Sequence, residues 1–133
     1  MNPSVVKGYQ TYQKNKYETA SPHRLIAMLY AGAIRNVKHA AESLDQGEHK
    51  VAHQLLLKSQ DIIFELISSL NEAEGGEIAR NLKQLYLYMI EQLAQANMNK
   101  TSQPLPVVID MLESISSAWN EIGKTTQAGT QYA

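Results

Sequence analysis

GGEIARNLKQLYLYM, Gly75 to Met89, places two glycines ahead of a segment whose apolar residues Ile78, Leu82, Leu85 and Met89 recur at four, three and four. That spacing is the period of one helix face. A glycine turn at a helix start raises two readings, a cradle of backbone amides for phosphate or a break between packed helices. Glu74 and Glu77 flank the glycines; carboxylates there repel an anion while favouring the positive end of the helix. The stretch therefore reads as packing, with Tyr86 and Tyr88 on the two shoulders of the stripe and Leu87 facing outward between them.

Three further segments carry the same period. Ser21-Pro22 opens the first, because a serine oxygen caps free amides and proline loses nothing at the first helical position. Gly47 closes it. The second covers about 48–70, the third about 77–97 after the break NEAEGG, and the fourth about 104–122. No stretch alternates as a strand does, and the short connections favour antiparallel neighbours. The expected fold is all-α, an antiparallel up-down four-helix bundle over residues 21–123. An N-terminal arm, residues 1–20, has the pattern of a short helix, and residues 124–133 read as a disordered tail. The expected core stripes are Ile26, Ala33, Val37, Ala40 and Leu44; Leu55, Ile62, Leu66 and Leu70; Ile78, Leu82, Leu85, Met89, Leu93 and Ala96; and Val108, Leu112, Ile115 and Trp119.

With 133 residues, 44% of them hydrophobic and 19% charged, the chain suits one folded domain. Twelve Lys plus Arg stand against 13 Asp plus Glu, which leaves no electrostatic case for nucleic acid or an acidic membrane surface. The absence of cysteine removes disulfides, thiolate metal sites and thiol nucleophiles, and points to a reducing compartment. No apolar run has the length of a signal peptide or a membrane span, so the expected location is cytoplasmic.

Some apolar residues are more than the core needs. Leu57 and Phe64 lie more than about 120° from the expected core stripe of their helix, with Ile67 nearby. Leu87 points away from the core of the third helix, and Ile90 and Ala94 share its side. Val107, Met111, Ala118 and Ile122 form a second stripe on the fourth. A single exposed apolar side chain is ordinary; the same excess on three helices points to helix-in-groove recognition or self-association. Val5, Tyr9 and Tyr12 fall on one helical face of the arm, which suits a cover for such a surface.

Catalytic patterns are missing. No Glu-x-x-His pair offers di-iron ligands, and His49 and His53 project away from the core. A phosphotransfer histidine needs lysine and glycine at three and four, whereas His23, His39, His49 and His53 are followed at three by Ile26, Glu42, Ala52 and Leu56. The sequence predicts no enzyme, no cofactor and no metal.

TASPHRLIAMLYAGAI, Thr19 to Ile34, and GGEIARNLKQLYLYM, followed by Ala96-Asn97 and a late Trp119, closely resemble the flagellar secretion chaperones of the FliS family, from Val6 to Trp119. The resemblance implies a cytosolic bundle that binds the C-terminal segment of flagellin. It also implies that the bundle prevents premature polymerisation and delivers its client to the flagellar type III export gate. The family's branched apolar residue, lysine, spacer and tyrosine match Val6, Lys7, Gly8 and Tyr9. That match implies that Val6 and Tyr9 contact the cytosolic domain of the export-gate membrane protein, with no membrane insertion of the chain itself. Ala31 and Leu87 depart from the pattern, standing where many relatives carry an acid. Two other readings stay open, a generic helical adaptor or homodimeric bundle and a phosphotransfer bundle; the expected oligomeric state is a monomer or weak homodimer.

Overall fold

The computed structural model describes residues 20–130, which form four helices in sequence: α1, Pro22–Asp45; α2, His49–Ser68; α3, Glu72–Asn99; and α4, Leu105–Thr130. Val5, Val6, Tyr9 and Tyr12 lie outside the described residues. Ser21 starts α1 by accepting the Arg24 amide at 3.1 Å, with Pro22 in the first turn. Asn71 starts α3 by accepting the Glu74 amide at 3.2 Å, and Glu72 and Glu74 place negative charge where exposed amides favour it.

Each helix runs antiparallel to the one before it. The start of α1 meets the second half of α4 through His23 and Trp119, the far end of α1 meets the approach to α4 through Asp45 and Ser102, and the start of α2 meets the end of α3 through His53 and Asn97. Around the bundle α1 touches α2 and α4, α3 touches α2 and α4, and the α3–α4 seam is the most open of the four. An antiparallel four-helix bundle is thus what the chain forms.

α1 and α2 pack most intimately because small residues meet there. Gly32, Ala33, Ala40, Ala52 and Ser59 are all buried, and a Cβ on Gly32 would stand 3.5 Å from Ile62 Cδ1. The Ser59 hydroxyl is satisfied within its own helix, donating to the Leu55 carbonyl at 2.8 Å. The buried stripe of α2 is accordingly Ala52, Leu56, Ser59, Ile63 and Leu66. This corrects the expected stripe: Leu55, Ile62 and Leu70 are only partly buried, on its flanks and at its end. Reading large apolar residues alone rotated the face, because alanine and serine are among its buried residues.

In α3 the buried residues are Ala79, Tyr86, Met89, Leu93 and Ala96, whereas Ile78 is 73% exposed and Leu85 41% exposed. Both had been expected in the core. The buried face follows Ala79, Tyr86 and Leu93, seven residues apart, and Ile78 and Leu85 each stand one residue before that line, about 100° round the helix. Gly76, with φ 55° and ψ −128°, breaks the helix between a first turn and the main body. Residues 72–75, expected in the connecting break, are helical and capped; the chain reverses before them, at 69–71. Helix α4 continues to Thr130, past the boundary at 123–124 drawn from the polar composition of the tail.

Candidate functional site

Two ion or hydrogen-bond pairs fix which flank of each helix faces which neighbour. His53 of α2 bonds the Asn97 carboxamide of α3. Leu57 and Phe64 lie within about 40° of His53 around α2, and Ile90 lies within about 20° of Asn97 around α3, followed outward by Ala94 and Leu87. Leu57, Phe64 and Leu87 are 43%, 50% and 44% exposed; Ile67, Ile90 and Ala94 are half-buried beneath them. These six residues therefore share one apolar strip along the α2–α3 seam.

The second pair is Lys38 of α1 with Glu113 of α4, at 2.9 Å. Val107, Met111, Ala118 and Ile122 lie roughly 120–180° around α4 from Glu113, on the flank turned toward α3. The structure thus separates the sequence-derived groove into two strips on opposite flanks of α3. Leu57, Phe64, Ile67, Leu87, Ile90 and Ala94 occupy one; Val107, Met111, Ala118 and Ile122 occupy the other.

At the Gly76 end of the bundle the second strip deepens into an open cleft of about 710 Å³. Ile26 and Tyr30 of α1, Leu70, Ile78, Leu82 and Tyr86 around the start of α3, and Ile115, Ala118, Trp119 and Ile122 of α4 form its walls. Its lining is mostly apolar, and Glu74 is the one charged side chain on it among the described residues. The cleft lies beside the Gly76 break, along the most open seam of the bundle, and Glu74 and Gly75 of the first turn of α3 line it together with α4. Ile26, Leu70, Ile78, Leu82, Ile115 and Trp119 have the helical register of core residues, yet here they line a surface that no fifth element closes among the described residues. The double glycine at a helix start was the available cue.

The cleft's floor is polar at one point. Tyr30 and Tyr86, 3% and 1% exposed, bring their hydroxyl oxygens to 2.6 Å. Burial pushes both phenols above their ordinary value of 10.0; for Tyr86 the bond to Tyr30 adds to the rise, and for Tyr30 the bond to Tyr86 partly offsets it. At the rim, His23 and Trp119 stack with centroids 4.6 Å apart and planes 4° apart. The Trp119 Nε1–H donates to the His23 carbonyl at 2.9 Å, and the His23 Nε2–H donates to the Trp119 carbonyl at 2.7 Å. His23 is thus held by stacking and two hydrogen bonds, and exposed His53 by its bond to Asn97. Among the described residues no three His, Cys, Asp or Glu side chains gather to hold a metal ion, and no helix is long and apolar enough to cross a membrane.

The two strips and the cleft are exposed apolar surface of the kind that helix-in-groove contacts use. A family model described as "Flagellar protein FliS" matches residues 5–126. The flagellar secretion chaperone FliS of Vibrio cholerae is 40% identical over 117 residues, covering 85% of this chain and 86% of that protein. The Salmonella typhimurium protein of the same name is 39% identical over 121 residues, 90% of each chain. That of Bacillus subtilis is 31% identical over 118 residues, 89% of this chain and 87% of the other.

Proposed function

The chain belongs to the FliS family of flagellar secretion chaperones, a non-enzymatic family, and from that premise we propose that it is a cytoplasmic export chaperone whose client is the C-terminal segment of flagellin. The observation that carries this reading is the pair of apolar strips on the two flanks of α3, one of them deepening into the cleft. A segment that packs as helix in an assembled filament is a disordered, apolar chain beforehand. Ordering it on a partner costs several kcal/mol. Two long shallow strips offset that cost better than one deep pocket, because many half-exposed residues such as Phe64, Leu87 and Ile122 each contribute some burial.

In this reading the N-terminal arm serves delivery: Val6 and Tyr9 dock on the cytosolic domain of the export-gate membrane protein, and Tyr12 covers apolar surface when no client is bound. The protein acts as a monomer or weak homodimer. The experiment is a flagellin polymerisation assay with equimolar chaperone, followed by export from cells carrying Tyr9→Ala. Polymerisation stops, and the variant exports less while binding flagellin as before. Unhindered polymerisation contradicts the client, and a loss of flagellin affinity in Tyr9→Ala moves the arm into the client site.

A further inference from the structure

The most buried polar pair on the cleft holds a hydrogen-bonding capacity that its own residues do not use. Tyr30 and Tyr86 both line it, and their two hydroxyls hold two protons, of which the 2.6 Å bond between them consumes one. Among the described residues neither oxygen has another hydrogen-bond partner. Ile26, Leu82, Ile115 and Trp119 stand on the walls, with Ser69, Asn71 and Ser114 the other uncharged polar residues of the lining, so an occupant that brings only apolar groups leaves this donor unmet.

We propose that the Tyr30–Tyr86 pair is the polar specificity determinant of the cleft, donating its unspent phenolic proton to a side-chain carboxamide or hydroxyl on the client segment. The inference rests on the reading that this cleft seats the client. A neutral acceptor fits where an ion does not. A carboxylate would give up its hydration for a single hydrogen bond and face Glu74, the charged residue on the lining. An ammonium or guanidinium would find no anion at the floor, since burial holds both phenols protonated well above neutral pH. The client position that enters the cleft is therefore Asn, Gln, Ser or Thr within an apolar run.

The test is calorimetric titration of the full chain with a flagellin C-terminal peptide, comparing wild type with the Tyr30→Phe/Tyr86→Phe double variant. Removing both partners together keeps the shape and leaves no orphaned hydroxyl, so the thermal midpoint stays close to wild type. Affinity falls about three- to tenfold, the worth of one net hydrogen bond. Replacing each Asn, Gln, Ser and Thr of the peptide in turn by an apolar residue of similar shape identifies one position with the same loss against wild type and none against the double variant. Unchanged affinity of the double variant, or a loss shared by no peptide position, overturns the proposal. Ile78→Asp, on the exposed wall, separates the two levels. If it weakens binding while the double variant does not, the hydroxyl assignment alone falls; if it too leaves binding unchanged, the client does not sit in the cleft and both readings fall.

Discussion

The imidazole of His23 lies flat on the indole of Trp119, with each ring N–H donated to the other residue's backbone carbonyl. This reciprocal clasp joins the first turn of α1 to the second half of α4 at the rim of the cleft. Gly123 completes it, because a Cβ there would run into the His23 ring. Gly123→Ala should therefore destabilise the fold by about 1–3 kcal/mol through overpacking. Trp119→Phe, which removes the N–H donor and the part of the indole that a phenyl ring does not replace, should cost about 1–3 kcal/mol. Chemical denaturation of the two variants checks both. A Gly123→Ala variant as stable as wild type would show that the close fit against Gly123 does not hold these ends together.

The break in α3 makes a sharper backbone prediction. Gly76 has φ 55° and ψ −128°, a region that side chains with a Cβ rarely enter. Gly76→Ala should cost about 1–3 kcal/mol, or else straighten the helix and narrow the cleft. Measuring stability together with peptide affinity distinguishes these outcomes. A variant equal to wild type in both would show that the break is not held by the glycine.

Two strips on opposite flanks of α3 imply a client that contacts both. Phe64→Asp and Leu87→Asp on the α2–α3 side, and Ile122→Asp on the α3–α4 side, replace side chains that are 50%, 44% and 53% exposed, so folding should be nearly unaffected. Each should weaken flagellin-peptide binding by roughly tenfold, about the worth of one half-buried apolar side chain. Titration calorimetry reads this directly. Loss confined to one side would reduce the contact surface to a single seam.

Alkaline titration probes the floor of the cleft. Burial raises the Tyr30 and Tyr86 phenols above 10.0 in the folded state, so the folded protein holds these protons more tightly than the unfolded chain does. Their contribution is fully present below about pH 10 and is lost as pH rises through the higher folded values. Wild type should lose stability above about pH 10, and Tyr30→Phe/Tyr86→Phe should lose markedly less there. Parallel pH profiles for the two proteins would contradict the burial assigned to this pair.

The helices and their order were legible because caps and period are local: Ser21-Pro22, Gly47 and the stripe through Met89 and Leu93 need no partner to be recognised. Faces were less legible where packing depends on small residues. Ala52 and Ser59 lie at the centre of the α2 core, and a reading weighted to leucine and isoleucine turns that helix away from them. The cleft was the least legible feature. Ile78, Leu82 and Trp119 carry core spacing, and they form a wall because α3 and α4 stand apart at this end, a relation between helices that spacing along one helix does not encode. The hydroxyl contact between Tyr30 and Tyr86 joins residues 56 apart in sequence, which no local pattern encodes.

The most direct test of the central claim is co-purification of the chain with flagellin, full length and lacking its C-terminal segment. The account predicts a one-to-one complex with the full-length client that disappears on truncation. A complex that survives removal of that segment would contradict it.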